Sequence, residues 1–351
     1  MVKIGNKEAT SVVVIYSFSI TMLALAGFGA TKYGSGAWIN HLVCAFVNFI
    51  MLISAIYYFK VFGNQNIISG GQNLFGDFTA KTIGLIISFA VFIFVASEFE
   101  VACKKIEEIG NQNLKTDMIR VVICASIIVC ASCGVEVITR LSYIMIIVIS
   151  ILLFFLLYTT FGGINTDNFF PIFGKSANEV FIPCEGLSLY SGILTLLLIC
   201  DYFKSKSDVI KSAKRIVLYV NILSLFIIIW YTLSVPYYKG KSSEEGIEAI
   251  FASSSSGRFI RRFEVFLLSY YILSVIITAT FGLFALSRTL CLICKCDDIK
   301  PFILAVGVCL YYCSGSMDTD VVLLKSSLIC SCLSVGLPLI YLGIYRIKNR
   351  G

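Results

Sequence analysis

The chain has 351 residues, of which 58% are hydrophobic and only 14% charged, and its mean hydropathy is +0.89. That composition excludes a soluble globular domain and reads as a polytopic membrane protein. The formal charge of +7 lies between the apolar runs; it bears on orientation, and a nucleic-acid partner, which needs a clustered water-facing basic surface, is excluded.

Uncharged runs cover residues 9–31, 33–59, 82–97, 121–135, 141–166, 186–200, 216–238, 265–287, 301–317 and 326–345. They predict an all-α membrane protein of about ten transmembrane helices in one integral membrane domain. The four shortest, 82–97, 121–135, 186–200 and 301–317, extend into charged flanks or are interrupted. Lys3 and Lys7 before Ala24-Leu25-Ala26-Gly27 resemble a secretory signal, but the run continues to Thr31 and many spans follow, which predicts a retained first helix. The Lys and Arg distribution favours both termini inside, with Lys175 and Lys241 outside.

In segment two the single histidine, His41, stands among Leu, Val and Ala, which predicts a buried neutral imidazole rather than a ligand. The stretch from Gly63 to Thr79 is too polar to span and is placed at the inner surface. Glu98 and Glu100, two apart and so on different helix faces, are candidates to relay a proton or meet a cationic solute. The sequence favours both snorkelling at the interface beside Lys104 and Lys105. Glu136 and Arg140 at i, i+4 predict a helix-surface ion pair.

The stretch from Asn168 to Phe203 organises the rest. Gly186, Ser188, Tyr190, Ser191 and Gly192 within one apolar span make a poor continuous lipid-facing helix. A broken backbone survives in hydrocarbon only when buried or lining a wet cavity, where transporters place solute sites. Further on, Ser242-Ser243-Glu244-Glu245 predicts a short lid helix ended by the run Ser253 to Gly257. Cys291, Cys294 and Cys296 supply three thiols where a closed zinc site needs a fourth ligand, so no metal is expected. Most of the fourteen cysteines lie in apolar runs and imply no disulfide framework. There is no phosphate loop and no Ser/His/Asp set, so neither an enzyme nor a cofactor is predicted.

Taken together, Gly36-Ala37-Trp38-Ile39, Gly134-Val135-Glu136 through Arg140, Asn168 to Gly174 and Arg262-Phe263-Glu264 resemble, in order, the motifs of the spore germination permeases, the B subunits of germinant receptors. That family is similar to the amino acid–polyamine–organocation transporters. The resemblance implies a LeuT-like fold with inverted five-helix repeats, about 9–166 and 186–345, and broken helices one and six. It implies a germinant-sensing subunit of the inner spore membrane, binding a small solute, an amino acid, and acting with a larger membrane subunit and a lipoprotein. The solute site is expected where Ser19 and Thr21 of an unwound helix one meet Ser188, Tyr190, Ser191 and Gly192. Glu136, Arg140, Arg262 and Glu264 take structural or gating roles.

The chain departs from the family at Ser19-Ile20-Thr21, where glycine is usual, at Ile193-Leu194-Thr195, where glutamate is frequent, and at Ser253 to Ser256, where proline is expected. Segment five lacks the lysine of some proton-coupled relatives, which argues against coupled pumping. A stand-alone amino acid or cation transporter of the same fold and an ion-channel subunit stay open as alternatives.

Overall fold

In hydrocarbon a chain satisfies its own backbone only as helix or closed barrel, and here the apolar runs are helices. The computed structural model describes residues 3–109, 115–182, 185–236, 250, 264–316 and 320–348. Segment one is α1 (Asn6–Ile20), a π turn (Thr21–Leu25) and α2 (Ala26–Tyr33). Then follow α3 (Ala37–Phe62), α4 (Ile67–Phe75), α5 (Asp77–Ile109), α6 (Thr116–Ser132) and α7 (Val135–Thr160). A short α8 (Ala177–Val180) precedes segment six, which is a 3₁₀ turn (Glu185–Tyr190) and α9 (Ser191–Ile199). Helices α10 (Lys206–Ser234), α11 (Glu264–Cys294), α12 (Lys300–Ser314) and α13 (Asp320–Lys348) complete the described chain.

Over their described residues the predicted apolar runs fall on this helical framework, and among the described residues seven helical stretches are long and apolar enough to cross a membrane. Of the four short runs, 82–97 lies within α5, which extends into charged flanks at both ends. The run 186–200 is the interrupted one, because its first turn is 3₁₀ rather than α.

Contacts at the chain ends fix which helix ends share a face. The Ile4 amide donates to Tyr202 O at 2.9 Å, Asn64 Nδ2 to Phe203 O at 3.0 Å and Lys348 Nζ to Leu74 O at 2.8 Å. Ile4, the ends of α3 and α9, and the end of α13 therefore lie together. The polar stretch 63–79 sits on this face: α4 tucks against α13, with Tyr341 OH donating to Ile67 O at 2.8 Å.

At the opposite face two of the sequence motifs meet. Trp38 stacks on Phe169 with ring centroids 5.3 Å apart, Ser35 Oγ donates to Pro171 O, and Asn168 Nδ2 donates to Leu233 O at 2.9 Å. Gly174 has φ +61°, and a Cβ there would fall 2.8 Å from Gly36 N and closer still to Tyr33 O. Glycine is needed at this crossing for both its dihedral and its size.

Inside the bundle α5 runs along α11 and packs on α13, while α1 is surrounded by α7, α10 and α11. Every residue of α1 from Ala9 to Ile20 and every residue of α9 is buried. A helix apolar on all sides belongs inside a large structure, and these two innermost helices position the candidate site.

Candidate functional site

Helix one is distorted but not unwound. Thr21 keeps helical dihedrals, φ −62° and ψ −42°, and the chain passes directly into the π turn. With no glycine or proline at Ser19-Ile20-Thr21, the backbone holds its helical hydrogen bonds and takes up the strain as a widened turn, a feature that recurs at functional sites. Ser19 and Thr21 point to different neighbours. Ser19 Oγ lies 2.9 Å from Tyr16 O and bonds the Glu98 carboxylate of α5, while Thr21 Oγ1 is 2.8 Å from Ser224 Oγ of α10.

Segment six is irregular where its composition predicts. Through the 3₁₀ turn and into α9, the hydroxyls of Ser188, Tyr190 and Ser191 are buried and make no hydrogen bond. The Ser188 carbonyl accepts from Ser331 Oγ at 3.1 Å, and the Tyr190 hydroxyl approaches the Asn221 amide without closing a bond. Across from them on α1, Ser17 Oγ is also buried and unpartnered. Buried polar atoms are nearly always satisfied, and each orphan costs about 1–3 kcal/mol. Four such hydroxyls lie on two packed segments, α1 and the start of segment six, that touch at Ser17 and Gly192.

Gly192 does not open onto free space. A Cβ there would meet Val13 Cγ1 at 2.7 Å and Ser17 Oγ more closely still. The glycine lets α9 press against α1, so its role is helix contact rather than room for a solute. A second polar group adjoins Tyr190: His41 Nε2 is 3.2 Å from Asn221 O, and Asn48 Nδ2 is 3.5 Å from Asn221 Oδ1. His41 is buried, as its apolar neighbours predict.

The reading of Glu98 and Glu100 as snorkelling groups is overturned, since both are fully buried. Helix α5 continues eleven residues past Glu98 to Ile109, about 16 Å at 1.5 Å per residue. That distance is beyond the reach of a glutamate side chain. Glu100 is compensated: Arg120 of α6 donates Nε to Glu100 Oε2 at 2.8 Å and Nη2 to Oε1, while Nη1 bonds Asp117 Oδ1 at 2.8 Å. Glu98 has the Ser19 contact on one oxygen, no partner on Oε2, and no ion pair among the described residues.

Segment six is tied down at both ends. At one, the Lys32 ammonium and the Tyr33 hydroxyl converge on the Glu185 carboxylate. At the other, Arg288 Nη2 is 3.3 Å and Asn66 Nδ2 3.4 Å from Asp201 Oδ2, with Arg288 also over the Tyr202 ring. Sequence reasoning passed over Ser17, Glu185, Asp201 and Asn221. The apolar flanks of the site gave no pattern for them, although Glu185 and Asp201 bracket the interrupted run and carried that signal.

Glu136 and Arg140 form the predicted i, i+4 ion pair on α7, with Arg140 65% exposed. Glu264 begins α11; Arg262, Lys241 and the lid stretch Ser242 to Gly257, apart from Ile250, lie outside the described residues. Cys291 Sγ donates to Cys296 O at 2.8 Å, a local helix-end contact. A groove of about 540 Å³ on α3 and α13, lined by Tyr57, Leu339 and Arg346 among others, is a separate feature.

Comparison with known proteins places this geometry. The model of a family described as spore germination protein matches residues 3–322. No curated protein is similar enough to match. Among solved structures, the chain is similar to a Na⁺-coupled sialic acid symporter in a substrate-bound outward-open state, at 12% identity and TM-score 0.64, over 96% of this chain and 78% of that one. It is also similar to a manganese transporter of Eremococcus coleocola, at 10% identity and TM-score 0.55, over 97% of this chain and 81% of that one. At such identities the likeness is one of fold, an all-α LeuT-like transporter fold.

Proposed function

The chain belongs to the spore germination protein family, with the membrane permease fold that goes with it, and from that premise we propose that it is the germinant-sensing subunit of a receptor. In this reading it binds a small solute, an amino acid, between segments one and six. Binding energy passes from there to a larger membrane subunit and a lipoprotein in the inner spore membrane. Both termini face the cytoplasm, and the Glu185 end of segment six faces outward.

One observation carries the reading: the hydroxyls of Ser17 on α1 and of Ser188, Tyr190 and Ser191 in segment six are buried without hydrogen-bond partners, where α1 packs against segment six at Gly192. A solute bearing several hydrogen-bonding groups supplies what these atoms lack, and its uptake into the interface separates or tilts α1 against α9. The ties at Glu185 and Asp201 then hold or release the ends of segment six. A solute site on an integral membrane bundle needs no catalytic group.

Equilibrium binding of a panel of amino acids and nucleosides to the purified chain tests the proposal, together with uptake into proteoliposomes. We expect at least one amino acid to bind without being accumulated. Ser191→Ala should weaken binding by about 1 kcal/mol, one neutral hydrogen bond. Accumulation by the chain alone would instead support a stand-alone transporter, and failure of every amino acid to bind would remove the proposed solute class.

A further inference from the structure

The groove on α3 and α13 has a shape and a charge that the solute site leaves unused. Its volume is about 540 Å³, within the usual range of a ligand site. The α3 wall runs from Ile50 to Val61 and the α13 wall from Val335 to Arg346, each about 16 Å long at 1.5 Å per residue. That is about half of a ~30 Å hydrocarbon core, the depth of one leaflet. Most of the wall is apolar, through Ile53, Leu339 and Leu342, and Ser54 turns its hydroxyl onto Met51 O at 2.7 Å. Small residues keep the groove open: at Gly343, in the α13 wall, an added Cβ would meet nothing within 4 Å.

The charge gathers at one end. The ends of α3 and α13 share a face of the bundle, and Arg346 lines the groove there. The Lys60 ammonium stands 5.3 Å from the ring centroid of Tyr57, another lining residue. Both bases are exposed, neither forms an ion pair among the described residues, and the lining holds no Asp or Glu. Bases at the inner ends of spans are general. A leaflet-deep apolar groove leading away from two of them is not.

We infer that this groove seats one anionic phospholipid, with an acyl chain along α3 and α13 and the phosphate held by Lys60 and Arg346. The chain matches the apolar walls, and the phosphate brings the negative charge and acceptor oxygens that the two bases lack. Basic sites between spans hold anionic headgroups in this way, and Tyr57 and Tyr345 stand at headgroup level, where amphipathic rings belong. A second copy of the chain suits the groove less well, because a two-fold interface would bring four bases together with no lining acid to meet them. In the proposed topology the lipid lies in the cytoplasmic leaflet. The inference stands apart from the solute site and does not depend on it.

The test uses the purified full chain in nanodiscs of phosphatidylcholine containing a small share of phosphatidylglycerol with a photoactivatable acyl chain. Mass spectrometry after illumination should find label on residues 50–61 or 335–346. Unlabelled phosphatidylglycerol should displace it far better than an equal addition of phosphatidylcholine. Gly343→Leu fills open space and should remove the label from the groove with the fold intact. The pair Lys60→Gln, Arg346→Gln leaves the groove open and should cut the preference for phosphatidylglycerol roughly thirtyfold, about fivefold for each base. Should Gly343→Leu fail to accumulate, the pair variant carries the test, because both of its side chains are exposed.

Equal competition by the two lipids in wild type would overturn the inference, as would wild-type labelling of the groove in Gly343→Leu or an unchanged preference in the pair variant. Groove peptides that take no label overturn it too and, if the chain is then dimeric, assign the groove to a second copy.

Discussion

Arg120→Ala is expected to destabilise the protein by about 3–5 kcal/mol, the usual cost of breaking a buried ion pair from one side. Arg120 is 18% exposed and Glu100 fully buried, and the guanidinium makes two bonds to that carboxylate. Removing Arg120 leaves a charge between α5 and α6 with no water to take it up. Few domains hold stability much beyond such a loss, so the variant should be nearly absent from membranes. The paired change Arg120→Met with Glu100→Leu removes both charges and should restore most of the protein level, since apolar replacement of a whole buried pair is often neutral. Membrane content and melting temperature of the three proteins are the readout. A single variant with wild-type content and melting temperature would show that the pair holds nothing together.

Gly192→Leu should also fail structurally, by a different route. Its Cβ alone would stand 2.7 Å from Val13 Cγ1, below ordinary contact distance, and the remaining carbons enter the same interface. Overpacking a tight contact typically costs 1–3 kcal/mol and forces backbone shifts; here the shift would part α1 from α9. From the sequence alone the substitution reads as a plug for a solute cavity, leaving the fold intact. With the helices in contact, the prediction becomes a lower protein level and a lower melting temperature. Val13→Ala in the same chain opens space opposite the new side chain, so the combination Gly192→Ala, Val13→Ala should lie closer to wild type than Gly192→Ala alone. Additive losses in that cycle would show that the two positions do not touch in the protein.

Much of the scaffold was legible because hydropathy and charge report it directly. The apolar runs are helices, the pair Glu136–Arg140 forms as its spacing requires, and the glycine- and serine-rich start of segment six adopts a 3₁₀ turn. The meeting of Gly36 and Trp38 with Phe169 and Gly174 was hidden, although both motifs were noticed, since nothing within either stretch names its partner.

The polar interior was harder to read. Glu98 and Glu100 look alike in sequence, and their difference depends on whether a residue of another helix, Arg120, arrives within reach. Ser17 and Ser19 likewise differ by facing α9 and α5, a matter of helix rotation that a helix buried on every side does not encode in its pattern. The break expected in helix one became a π turn because Ser, Ile and Thr carry Cβ atoms that favour keeping helical dihedrals, where glycine would have released them.

A small solute is proposed to bind between segments one and six. A photoactivatable amino acid, added to the purified chain and cross-linked by light, tests it by mass spectrometry of the labelled peptides. The label is predicted on residues 13–21 or 186–195 and should be displaced by any unlabelled amino acid that binds. Displaceable label confined to the groove on α3 and α13, or no displaceable label while binding is intact, would contradict the account.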